Sequence, residues 1–213
     1  MSPYQAVKYP RTPHLPWSPG ASQDDVFSLD ARHFEGQTVI ITEKMDGENT
    51  TLYRDYLHAR SVDGRHHPSR NWVKQWHQRL AYEIPAGWRI CGENLYARHT
   101  IAYTDLRGYF YGFSLWNNDN ICLSWQETCE WFALLEIPHP RILYQGVWDE
   151  GWCRRLKVDS TVMEGYVVRL AGHFAYADFA RSVAKWVRSG HVQTDQHWMF
   201  AEIIPNQLQQ ERT

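Results

Sequence analysis

A chain of 213 residues is long enough for one large domain or two small ones with a substantial core. Its 43% hydrophobic and 22% charged residues exclude a disordered segment, and no apolar run reaches membrane-spanning length. A net charge of -2 argues against broad nonspecific nucleic-acid binding, and the N-terminus has no apolar signal core.

Charge is uneven, however. Between Arg54 and Arg107 lie Arg60, Arg65, Arg70, Lys74, Arg79, Arg89 and Arg98, with five histidines that include His66 and His99, against five acidic residues. This predicts a local positive face. Cys91, Cys122, Cys129 and Cys153 have no metal-finger spacing and read as reduced thiols of an intracellular, cytoplasmic protein. Most of the eleven tryptophans and twelve tyrosines are assigned to the core.

Residues 1–25, rich in Pro, Gly and Ser, read as an extended N-terminal arm anchored by Leu15 and Trp17; residues 26–213 form the main domain. Thr38 to Thr42 reads as a strand that runs into Lys44 and breaks at Asp46-Gly47. A partner strand is expected at 50–53 and a third at 57–61. Ser69 to Glu83 predicts a helix capped by Ser69, striped by Trp72, Val73, Trp76 and Leu80, and ended by Pro85. Strands follow at 88–93 and 109–116, then a helix from Ser124 through Leu135, then strands at 141–146, 162–170 and 182–188. The polar run 191–198 reads as a helix start or an active-site edge. Many strands, few helices and no βαβ alternation predict an α+β fold with antiparallel sheets flanked by helices. Arg107-Gly108 is a candidate hinge between two sublobes.

The chemistry centres on Lys44. A lysine amine in water is protonated and inert, with a pKa of about 10.4. At a strand end beside other cations it sheds its proton and becomes a nucleophile. Five segments follow Glu43-Lys44-Met45-Asp46-Gly47 in order: Ala59-Arg60-Ser61, Cys91-Gly92-Glu93-Asn94-Leu95, Phe110-Tyr111-Gly112-Phe113, Met163-Glu164-Gly165-Tyr166-Val167-Val168 and Val183-Ala184-Lys185-Trp186-Val187-Arg188. Taken singly, Arg60 reads first as a surface arginine at a strand end, while Phe113 reads also as a core ring and Asp46 also as a turn residue.

As an ordered set, these segments resemble the covalent nucleotidyltransferase superfamily of RNA ligases, DNA ligases and mRNA capping enzymes. The resemblance is nearest to stand-alone ATP-dependent RNA ligases of the phage and RNA-editing type. It implies the nucleotidyltransferase (ATP-grasp-like ligase) fold and a nucleotide site built from Glu43, Lys44, Arg60, Glu93, Phe113, Glu164 and Lys185. In that site Lys44 takes up AMP from ATP, Lys185 grips the α-phosphate and lowers the pKa of Lys44, and Arg60 meets the phosphate end of the nucleic acid. Glu93 accepts from the ribose hydroxyls, Phe113 stacks on adenine, and Glu164 holds Mg²⁺, with Mn²⁺ as an alternative.

The family's second lysine is absent here. Arg188 stands nearby, but on a regular strand it faces the opposite side from Lys185. Only residues 186–213 follow the last motif, too few for the OB-fold barrel of DNA ligases and capping enzymes. The implied reaction joins RNA 5′-phosphate and 3′-hydroxyl ends, with a partner subunit or the arm assisting. The competing readings are a DNA-nick ligase, a capping-type guanylyltransferase and a non-catalytic nucleic-acid-binding module.

Overall fold

The computed structural model describes residues 6–21, 25–28, 30–62, 67–190 and 202–210. Arg65, His66 and the polar run 191–198 lie outside them.

Two antiparallel sheets form the centre. The first contains β1 (Thr38–Lys44), β7 (Ile142–Val147), β8 (Gly165–Leu170) and β10 (Val183–Val187), in the order β10-β8-β1-β7. The second contains β2 (Glu48–Leu52), β3 (Leu57–Ala59), β4 (Arg89–Asn94), β5 (Phe110–Trp116), β6 (Ile121–Cys122) and β9 (Phe174–Ala175), in the order β3-β2-β4-β5-β6-β9. The fold is α+β, as expected.

Val39 to Thr42 are all buried because β1 is covered on both faces, so it reads as a continuous apolar run rather than an alternating one. One face packs Val39, Ile41, Tyr166 and Val168 on Phe34, Trp148 and Cys153 of the short helix α3 (Glu150–Arg155). Between the sheets, Cys91 and Trp116 meet Phe174, Phe179 and Val183. The outer face of the second sheet packs Leu52, Ile90 and Leu115 against Val73 and Leu80 of α1 (Asn71–Leu80) and Phe132 of α2 (Trp125–Leu134).

Ser124 caps α2 as expected, in a reciprocal box: its Oγ accepts from the Glu127 amide at 3.2 Å while Glu127 Oε2 accepts from the Ser124 amide at 3.1 Å. Ser69 does not cap α1. Pro68 first sets a 3-10 turn at Pro68–Arg70, and the α-helix begins only at Asn71. Its last residues, Ala81–Glu83, tighten to 3-10 before Pro85.

Two expectations change. The strand after Lys44 does not pair with β1. Met45-Asp46-Gly47 instead takes the chain from the first sheet to the second, where β2 pairs with β3 and β4. Arg107-Gly108 is not a lobe hinge, because β4 and β5 on either side of it are neighbours in one sheet. Two arginines of the basic stretch are withdrawn from the surface. Arg70 is buried in an ion pair with Glu48, and Arg89 is buried over the Trp116 ring, 4.8 Å from its centroid. Guanidinium groups satisfied in the interior add nothing to a surface patch.

The N-terminal segment extends the first sheet. Pro13 O accepts from the Lys185 amide at 2.8 Å and the Leu15 amide donates to Lys185 O at 2.7 Å, so this segment runs parallel to β10 along its edge. Leu15 is fully buried, and Trp17 Nε1 donates to Tyr166 Oη at 3.1 Å.

Candidate active site

The β-register places the charged groups. Lys44, the last residue of β1, lies opposite Gly165, which lies opposite Val187; one pleat earlier, Thr42 lies opposite Val167, which lies opposite Lys185. Residues in lateral register share a face, and Thr42 and Lys44 are two apart, so Lys44 and Lys185 project from the same side of the first sheet. That side faces the second sheet. Gly165 is required where the strands cross this row, since a Cβ there would lie 2.0 Å from Trp186 O.

Lys44 Nζ donates to Glu164 Oε2 at 2.5 Å; the lysine side chain is 22% exposed and the carboxylate 1%. Burial pulls the Lys44 pKa down, but Glu164, then Glu93 and Asp46, push it up, and the net position is above the ordinary lysine value. This reverses the expectation. Three carboxylates surround the amine, and they outweigh its cationic neighbour. It is Lys185 that is lowered, to about 8, by burial first and by the Lys44 charge second, with Arg60 adding positive potential. The two-lysine arrangement therefore stands, but the softened amine is Lys185.

Asp46 is resolved as a structural residue. It is buried, and its Oδ2 accepts from the amides of Thr100 and Ile101 at 2.8 and 2.7 Å. Its own amide donates to Tyr103 Oη at 2.9 Å. The turn after Lys44 is thus tied to the 95–103 loop.

Glu93 faces this group from β4. Burial raises it to about 8; Lys44 opposes the rise, and Glu164 and Asp46 add to it. Its Oε1 accepts from the Gly47 amide at 3.2 Å, which orients the carboxyl. Directly across from it on β2 lies Asn49, whose Oδ1 is buried without a hydrogen bond among the described residues. Asn49 escaped the sequence reading; its position in an alternating strand two residues past Gly47 was the available signal. His99 also escaped it. This loop imidazole is lowered by burial and sits within electrostatic reach of Asp46, Glu48, Glu164 and Lys44.

Phe113 sits at a bulge in β5, where Cys91 pairs with Ser114 and Gly92 with Gly112, leaving Phe113 as the extra residue. It is half-buried between the sheets beside Val167. Tyr9 packs edge-on against it, with ring centroids 5.2 Å apart, and against Phe179 at the same distance. Arg60 follows β3, with its amide bonded to Asn49 O at 3.0 Å. Glu43 lies apart from the cluster: it pairs with Arg141 at 3.2 Å on the opposite face of β1. Arg188 donates its amide to Glu164 O at 3.1 Å, and its Nε is buried without a hydrogen bond among the described residues.

The arrangement is a cleft with cationic and carboxylate groups on one wall and a carboxyl and an aromatic ring on the other. Such a site suits an anionic ligand with a flat base and hydroxyl donors.

Comparison with solved structures gives the same architecture. A variant of Naegleria gruberi RNA ligase with AMP and manganese matches with a TM-score of 0.52 and 17% identity, over 74% of this chain and 51% of that one. Another variant of it, with ATP and manganese, gives 0.52 and 17% over 75% and 52%. The same enzyme with pyrophosphate gives 0.50 and 17% over 86% and 61%. The chain therefore spans about half to three-fifths of the length of these structures. At that identity the likeness establishes the fold. No curated protein matches the chain. The model of the RNA ligase family matches residues 37–187, a stretch that runs from the start of β1 to the end of β10. A match of that extent, over every strand that lines the cleft, places the chain in the RNA ligase family.

Proposed function

We propose that this protein is an ATP-dependent RNA ligase that joins 5′-phosphate and 3′-hydroxyl ends through a lysyl-AMP intermediate and an adenylylated 5′ end. The observation that carries the reading is the placement of Lys44 and Lys185 on one sheet face, with Glu164 on Lys44 and Glu93 and Phe113 opposite.

In the first step Lys44 Nζ attacks the α-phosphorus of ATP in line, the bond to the β-phosphate oxygen breaks, and pyrophosphate leaves. Lys44 must first shed its proton, and Glu164, at hydrogen-bond distance, is placed to receive it. Lys185 offsets negative charge on the α-phosphate, as displacement at phosphorus demands positioning and charge neutralisation above all. Glu93 accepts from a ribose hydroxyl, and Phe113 stacks on adenine. The 5′-phosphate of RNA then takes AMP from Lys44, and a 3′-hydroxyl displaces AMP from that activated end. Arg60, beside Lys185, is placed to meet the RNA phosphate.

Among the described residues no group of three or more His, Cys, Asp or Glu forms a ready-made metal cage. One buried carboxylate, Glu164, fits a hard cation that completes its shell with nucleotide phosphates and water. Mg²⁺, or Mn²⁺, held there would supply charge neutralisation at the phosphates. No helix among the described residues is long and apolar enough to cross a membrane. The reading places the protein in the cytoplasm, where ATP and broken RNA meet.

The test is incubation with α-labelled ATP and Mg²⁺, followed by denaturation. Label stays on the wild-type chain and is absent from Lys44→Ala. Ligation is then measured on RNA and DNA breaks with ATP or GTP. Preference for GTP, or for DNA nicks, replaces the reading with a capping-type or DNA-joining one.

A further inference from the structure

Outside the cleft, Asn206, on the C-terminal segment 202–210, is bonded through both its side chain and its backbone. It is 3% exposed. Its Oδ1 accepts from the Tyr103 amide at 3.0 Å while its Nδ2 donates to Leu95 O at 2.8 Å. Its backbone amide donates to Tyr96 O at 3.0 Å, and its carbonyl accepts from Tyr109 Oη at 3.0 Å. Neighbouring residues extend the seam: the Arg98 amide donates to Ile204 O at 2.8 Å, and the Gln207 amide to Tyr103 O at 2.9 Å.

This segment therefore straps the 95–103 loop at both ends. A primary amide is the side chain suited to that task, because one planar group offers an acceptor to one strand of the loop and a donor to the other. The loop in turn holds the nucleophile turn. Its Thr100 and Ile101 amides bond Asp46, its Tyr103 hydroxyl bonds the Asp46 amide, and Leu95 packs where a Gly47 side chain would be. Asp46 is two residues from Lys44.

We propose that Asn206 is a positioning residue for adenylyl transfer, fixing the 95–103 loop so that Asp46 holds Lys44 in line with its target. The inference rests on the RNA ligase reading, and it extends the working site to a segment far beyond the last motif in the chain. Asn206 touches no substrate. It acts through backbone amides that a displaced loop would withdraw from Asp46, and a shift of about 1 Å in a reacting group lowers rate by about 100-fold.

The test compares single-turnover lysine adenylylation by wild type, Asn206→Leu, Asn206→Asp and Ile137→Ala, the last a buried residue remote from the cleft chosen to match the stability loss. Asn206→Leu is expected to slow the rate at saturating ATP by about 10- to 100-fold, with the ATP KM within about threefold of wild type. Asn206→Asp, which keeps the acceptor alone, falls between. Combined with Asp46→Asn, Asn206→Leu should be no slower than the slower single variant, since both act on one path. A rate loss no larger than that of Ile137→Ala, or a fully additive double variant, overturns the proposal. Hydrogen exchange supplies an arm independent of activity: in Asn206→Leu the Thr100 and Ile101 amides lose protection while those of β8 keep theirs. Unchanged protection at Thr100 and Ile101 also overturns it. If wild type forms no adduct, the ligase reading fails by itself and the exchange arm still decides whether Asn206 anchors the loop.

Discussion

Lys44 Nζ lies 2.5 Å from Glu164 Oε2, and the lysine is the last residue of β1 while the glutamate is the last before β8. Register brings the two together: Lys44 stands opposite Gly165, and Glu164, which precedes β8 and lies outside its alternation, turns to the amine. An ammonium clamped by a carboxylate that is 1% exposed is held in its protonated, unreactive form. In the proposed adenylylation the same carboxylate would take its proton, so the contact that restrains Lys44 would also prepare it.

The clamp is measurable without ATP. In Glu164→Gln the charge that raises Lys44 is gone, and the amine should react several-fold faster than in wild type with an acylating reagent at pH 8, read by mass spectrometry of the Lys44 peptide. Equal labelling of the two proteins would remove the clamp. Adduct formation by wild type should rise with pH through the alkaline range, because a raised lysine keeps its proton longer.

Lys185 costs the fold stability at neutral pH. Its folded pKa is about 8, below the unfolded value of about 10.4, so between those values the unfolded chain binds more protons and stability rises with pH. Lys185→Met should therefore stabilise the protein at pH 7, on the order of 1–3 kcal/mol. The gain should shrink as pH rises from 8 to 10.4 and vanish above it, where both states are neutral. Urea melts at several pH values check the sign, and adduct formation should fall in the same variant.

Phe113 tests the proposed contact with the base. Stacking of a base on an aromatic ring contributes about 1–3 kcal/mol, so Phe113→Ala should raise the ATP KM by about 10- to 100-fold. Phe113→Tyr should recover most of it. If the ring serves only the core, the alanine variant loses stability with an unchanged KM.

Gly165 fixes the row that aligns the two lysines. In Gly165→Ala the new Cβ meets Trp186 O at 2.0 Å, and relief requires β8 and β10 to part. A loss of about 1–3 kcal/mol in stability is expected, with a larger loss of adduct than of folded protein, since Glu164 and Lys185 hang from these strands and Lys44 lies opposite Gly165.

The strands were legible where hydrophobic runs were long. β1, β5 and β8 fall within or close to their expected bounds, and Ser124 was recognisable as a helix cap because capping is a local hydrogen-bond problem. The short α3, β6 and β9 were missed, since elements of two to six residues contain too few side chains to show a period. The hinge at Arg107-Gly108 was misread because a glycine marks a bend in the chain and says nothing about which sheet the next strand joins.

The sequence by itself determined the inventory: a lysine at a strand end, a Gly-Glu pair, a late Glu-Gly strand and a final lysine, in an order that pointed to one family. Local composition suffices for that, because each motif is a few consecutive residues. Tertiary structure decided the electrostatics and the support. Whether Lys44 or Lys185 is the softened amine depends on three carboxylates brought together from distant segments, and Coulomb energy follows distance in space rather than along the chain. The surroundings of His99 and Asn206 were invisible for the same reason: their partners lie on strands and loops that only folding makes neighbours.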